Sequence, residues 1–187
     1  MTLTPAQGTF LLQIARSTID SFLSGVKPSK PKSYDKEFDK KYGVFVTLNK
    51  NEELRGCIGY PEPIKPLIEA VMDSAINAAT QDPRFPPVTP DELPELKIEI
   101  TILTPPKLIK VRNPVQYRHE IQLGVDGLIV ERGMNRGLLL PQVAAEWRWG
   151  EEQFLEHTCL KTGLPADAWE DKETKVYKFQ GQIFKES

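Results

Sequence analysis

One short stretch of this sequence is best equipped for chemistry: Leu54-Arg55-Gly56-Cys57-Ile58-Gly59, a cysteine between glycines with an arginine two positions before it. Thiolate rather than thiol is the nucleophile and the metal ligand, and a neighbouring guanidinium favours the charged form. Side chains alternate along a strand, so Arg55, Cys57 and Gly59 share one face while Leu54, Gly56, Ile58 and Tyr60 share the other. The second face is apolar and reads as core. Arginine is seldom buried unless paired, so Cys57 points where Arg55 points, toward water or a polar cleft. Gly56 and Gly59 leave backbone bare, which lets a ligand come close. Two readings stay open. Cys57 is a reactive or ligand-contacting thiol with Arg55 as anion partner, or it is a small structural cysteine of a type often buried. A bulge at Gly56 would reverse the parity and favour the second.

A cysteine nucleophile needs a base, most often a histidine held by a third group. The chain has two histidines, His119 and His157, and no spacing links either to Cys57. Cys159 lies on an apolar helical stripe and reads as core. No Cys-x-x-Cys pair, His-x-x-x-His pair, dense acidic loop or phosphate-binding glycine loop is present, so neither a metal site nor a cofactor is expected. The turn Asp82-Pro83-Arg84-Phe85 supplies two further charged candidates, Asp82 and Arg84, for a ligand-binding wall. Gln142 and Glu146, near Trp147 and Trp149, are candidates for a pocket wall, although aromatics so spaced more often belong to a core. Glu131, Arg132 and Arg136 read as surface pairs near a turn.

The elements that must position these groups follow from periodicity. Thr4-Pro5-Ala6-Gln7 opens a helix with a capping box, Phe10, Leu11, Ile14, Ile19, Phe22 and Leu23 recur at helical spacing, and Gly25 closes it. Residues 27–41, rich in lysine with few apolar groups, read as a solvated connection. Residues 42–48 and 54–60 form a hairpin around Asn49-Lys50-Asn51-Glu52. A second helix is predicted near 66–81, with Leu67, Ile68, Val71, Met72, Ala75 and Ala79 buried. Residues 97–103 alternate as a strand, with Ile98, Ile100 and Ile102 facing one way. Asn113-Pro114 opens a short helix. Residues 127–132 and 137–140 make a second hairpin, 151–161 a helix stopped by Gly163, and 176–184 a last strand with Gly181 as a candidate bulge. Hairpins with separated helices argue an α+β fold with a mixed, mostly antiparallel sheet flanked by helices.

A chain of 187 residues suits one domain and needs no disulfide to hold its core. The 24 basic residues against 26 acidic ones give a net charge of −2, which offers no global field for nucleic acid. No apolar run reaches the length of a membrane span, no signal peptide opens the chain, and two distant cysteines fit a reducing cytoplasm.

The hexapeptide at 54–59 resembles the hallmark of the AMMECR domain family, named after the chromosomal region of Alport syndrome, mental retardation, midface hypoplasia and elliptocytosis. Asp82-Pro83-Arg84-Phe85-Pro86-Pro87, Gly124-Val125-Asp126-Gly127-Leu128-Ile129-Val130, Leu140-Pro141-Gln142-Val143-Ala144 and the stretch 154–169 are similar to further blocks of that family in order. The likeness covers about 10–184, and Tyr60 departs from a threonine in many members. It implies a single domain over 1–187 with a larger and a smaller lobe, a cleft near the hexapeptide, and an uncharacterised activity. It also implies a pathway link to Memo-like and radical SAM proteins. The expectation is a cleft site that binds a small molecule or peptide, centred on Cys57 with catalysis as its enzymatic form. Arg55, Gly56, Gly59, Asp82, Arg84 and Gln142 would surround it. The alternatives are a non-catalytic protein-interaction module and, against the charge balance, a nucleic-acid-linked regulator.

Overall fold

The computed structural model describes residues 3–187. The chain divides into two compact units, the first comprising the chain through Leu103 together with Gln182–Ser187, the second Thr104–Gly181. The α+β class holds, and the strand pairs with a described register are antiparallel.

In the first unit, α1 (Pro5–Leu23) starts as its residues require. Thr4 Oγ1 accepts the Gln7 N–H at 3.3 Å while Gln7 Oε1 accepts the Thr4 N–H at 2.8 Å, satisfying two end groups at once. Gly25, at φ 73°, follows its last turn. Strands β1 (Gly43–Lys50) and β2 (Glu53–Tyr60) form the expected hairpin, with a tighter turn than the sequence implies: Asn51 and Glu52 alone take positive φ. Helix α2 (Leu67–Thr80) and strand β3 (Leu96–Leu103) complete the layers. Strand order is β2-β1-β3, so β2 is an edge strand. The inner sheet face (Val44, Val46, Leu48, Ile98, Ile100, Ile102) packs with Leu11, Ile19, Leu67, Ile68 and Val71 of the helices in one core. The lysine-rich segment before β1 differs from a solvated linker. A 3-10 helix at Lys36–Asp39 buries Phe38, whose ring stacks on Phe10 at 5.6 Å. One aromatic anchor outweighs the polar composition around it.

The second unit contains β4 (Lys107–Leu108), α3 (Tyr117–Glu120), the hairpin β5 (Asp126–Arg132) and β6 (Asn135–Leu139), α4 (Pro141–Glu146) and α5 (Glu151–Lys161). The last strand, β7 (Lys175–Lys185), pairs with β4 and β5 through residues of this unit. Leu128, Val130, Phe154, Leu155, Cys159, Trp169 and Val176 form a separate core. The final residues of β7 lie in the first unit beside β3, where Lys185 pairs with Glu99 at 2.8 Å and the Glu186 N–H reaches Ile98 O at 3.0 Å.

Candidate functional site

The register of β1 against β2 sets the geometry of the hexapeptide. Leu48 faces Gly56 and Asn49 faces Leu54, so Arg55 is the extra residue of a bulge. The bulge precedes Gly56, and residues 56–60 keep their alternation. Cys57 and Gly59 pair with Thr47 and Phe45 on the outer face, as parity predicts. Leu54 does not. Its expected core position is corrected: the inserted residue turns it to the face of Asn49, and it is 41% exposed. The glycines meet protein rather than open space. A Cβ on Gly56 would stand 2.1 Å from the Ala78 carbonyl oxygen of α2, and one on Gly59 would stand 2.6 Å from the Phe45 ring. Both let neighbouring atoms pack onto the strand.

Arg55 is fully engaged inside this unit. Its Nε and Nη2 donate to the two carboxylate oxygens of Glu92 at 3.2 and 3.0 Å, and Nη1 donates to Pro86 O at 2.8 Å. The guanidinium, followed by the Thr89 N–H, draws the Glu92 carboxyl down to about 2. Asp82 and Arg84 close the free edge of β2. The buried Asp82 carboxylate accepts the Cys57 N–H at 2.8 Å, while Arg84 Nη2 donates to Cys57 O at 3.4 Å. Two side chains thus do what a further strand would do, which protects the edge from pairing with another chain. Arg84 also binds Asp82 through Nε and Nη2 at 2.9 and 2.7 Å. That ion pair is the main cause holding the Asp82 carboxyl far below the usual carboxylate range. Burial opposes it, and the Cys57 and Arg84 backbone N–H groups add to it.

The half-buried Cys57 belongs to a polar row across the sheet. Thr47 Oγ1 donates to Cys57 Sγ at 3.2 Å. Thr47 faces Glu99 on β3, and Glu99 pairs with Lys185. A cavity of about 670 Å³ opens at the Glu99 and Lys185 end of this row, with Asn49 and Lys97 also in its lining; Cys57 and Thr47 do not line it. Its volume suits a small ligand. Sequence reasoning passed over Thr47, Glu92 and Glu99. The signal for Thr47 and Glu99 was their polar place between buried valines and isoleucines, but only the register sets them beside Cys57.

The remaining candidates lie in the second unit. Gln142 is exposed in the first turn of α4 and His119 is exposed on α3. His157, on α5, stacks on Trp149 at 3.8 Å. Trp147 is 67% exposed rather than part of a core. Cys159 is buried as predicted, and burial pushes its thiol up to about 11. Glu131 pairs with Arg136, and Arg132 with Asp171 at 3.0 Å. Among the described residues no cluster of three or more His, Cys, Asp or Glu is placed to hold a metal, and no helix is long and apolar enough to cross a membrane.

A family model described as AMMECR1 matches residues 12–184. A protein of Methanothermobacter thermautotrophicus is 55% identical over 181 residues, covering 96% of this chain and 94% of its own. One of Methanocaldococcus jannaschii is 52% identical over 186 residues, covering 98% and 92%. The crystal structure of an uncharacterised Pyrococcus horikoshii protein, PH0010, superposes with a TM-score of 0.86 at 49% identity, over 99% of this chain and 94% of that one.

Proposed function

This chain belongs to the AMMECR1 family, and from that premise we propose that the outer sheet face of its first unit binds a small polar molecule or an extended peptide at Cys57. The observation that carries the reading is the Thr47 hydroxyl donating to the Cys57 sulfur at 3.2 Å, in a row that continues to Glu99 and the cavity beside it. A thiol, a hydroxyl and a carboxylate side by side supply a nucleophile or ligand contact, a donor to the sulfur, and a charged group for orientation. Asp82 and Arg84 fix the Cys57 backbone from the strand edge, and Arg55 braces the same strand through Glu92. In this reading those three residues position Cys57. A reducing cytoplasm suits the two free thiols.

A non-catalytic docking surface for a protein partner is the second reading. It is favoured by the exposed Leu54 beside a set of charged side chains already engaged internally. Alkylation with iodoacetamide, mapped by mass spectrometry across pH, separates the two. Cys57 is expected to react with the fold intact while the buried Cys159 stays protected, and Thr47→Val is expected to change the pH profile. A Cys57 as protected as Cys159 sinks the binding-thiol proposal. A Cys57 that reacts with a profile unaltered in Thr47→Val and Arg55→Ala leaves the docking reading.

A further inference from the structure

We propose that the second unit carries a binding site for a purine mononucleotide, with the base on Trp147 and the phosphate on Arg148. Helix α4 ends in a closed turn: the Trp149 N–H donates to Ala144 O at 2.9 Å and the Arg148 N–H to Ala145 O at 3.2 Å. That closure places the residue after the cap in the left-handed region, where glycine is the usual occupant and a side chain is disfavoured. The chain uses glycine at four other positive-φ positions, Gly25, Gly124, Gly133 and Gly163, and non-glycine residues at Asn51 and Glu52 in the β1–β2 turn; here it carries arginine, at φ 55°. The exposed guanidinium has no hydrogen-bond or ion-pair partner among the described residues. The turn therefore holds an exposed charge that the fold does not use and that a ligand can reach.

The same turn presents an ordered aromatic stack. Trp147 stacks on Trp149 at 5.9 Å with 18° between the rings, and Trp149 stacks on His157 at 3.8 Å with 1° between them. Trp147 therefore lies offset beside Trp149 and, at 67% exposure, is largely open to water. Another flat ring extends the stack without reorganising it, and stacking of bases on exposed aromatics is a principal source of affinity in such sites. The guanidinium one residue away selects a ring that carries an anion, and arginine matches phosphate geometry. Glu146 and Glu151 flank the turn in sequence, and the chain is net negative. Both oppose phosphate in general, and one cation meets one phosphate, so the site suits a single nucleotide better than a strand that presents many.

The test is calorimetric titration of the full chain with AMP and with adenosine, repeated on Trp147→Ala, Trp147→Phe and Arg148→Gly. AMP is expected to bind saturably, with Trp147→Ala weakening it roughly tenfold or more and Trp147→Phe retaining most of it. Arg148→Gly is expected to remove the roughly two- to fivefold preference for AMP over adenosine while leaving adenosine binding in place. Absence of saturable AMP binding overturns the proposal. So does a folded Trp147→Ala that binds like the wild type, or binding of a short oligonucleotide without AMP.

Discussion

Replacing Asp82 with asparagine removes a charge from a site that uses both carboxylate oxygens. Oδ2 accepts from the Cys57 N–H at 2.8 Å and from Arg84 Nη2 at 2.7 Å, while Oδ1 accepts from the Arg84 N–H at 3.1 Å and from Nε at 2.9 Å. An asparagine has one carbonyl oxygen, so two of these donors come to face its NH₂ group. Hydrogen bonds to a charged acceptor contribute about 1.5–3 kcal/mol each. The Arg84 side chain is 53% exposed and recovers much of its loss in water, whereas Asp82 is buried. The net cost is therefore about 2–3 kcal/mol at pH 7. For a chain of this size that lowers the thermal midpoint by about 4–12 °C. The pH dependence has a definite sign. The folded carboxyl is depressed, so its contribution is complete above the unfolded value near 3.9 and is lost as pH falls toward the folded one. Between pH 5 and pH 3 the gap between wild type and Asp82→Asn should shrink by about 1.2 kcal/mol. Urea unfolding at a series of pH values measures this directly. Equal stability at pH 7, or a gap constant from pH 5 to pH 3, would refute the account of Asp82 as the anchor of the β2 edge.

Gly56→Ala should destabilise by about 1–3 kcal/mol in the same assay, because its Cβ would fall 2.1 Å from the Ala78 carbonyl oxygen and α2 or β2 must move. Glu92→Gln should lower stability at pH 7 by roughly 1–2 kcal/mol by unpairing Arg55. The deficit should fade as the pH of the measurement approaches about 2, where wild-type Glu92 also becomes protonated. Arg148→Gly should raise the thermal midpoint, since glycine relieves about 1 kcal/mol of left-handed strain. A lower midpoint would show that the guanidinium supports the fold. Thr4→Ala should lose about 1 kcal/mol by breaking the capping box, read from denaturant midpoints at unchanged m-value.

Periodicity and end signals alone determine much of this protein. The capping box at Thr4, the buried stripe of α2, the alternating isoleucines of β3, both hairpins and the buried Cys159 are local properties, set by side chains within a few residues of one another. The placement of Cys57 and Gly59 on the outer face follows from strand parity in the same way. Other features depend on partners distant in the chain. Whether Leu54 is core or surface turned on one inserted residue, Arg55, visible only once β1 was set against β2. Arg55 looked like the thiol's partner by spacing of two, yet its guanidinium went to Glu92, 37 positions away, where a carboxylate and a proline carbonyl matched its donors. Asp82 and Arg84 read as part of a wall, and became the cap of a sheet edge because β2 is the outermost strand. The segment at 54–59 was thus marked by its residue types. Its neighbours, Thr47 through a hydroxyl and Glu99 one strand further, were chosen by cross-strand register, a long-range property that spacing along one strand does not carry.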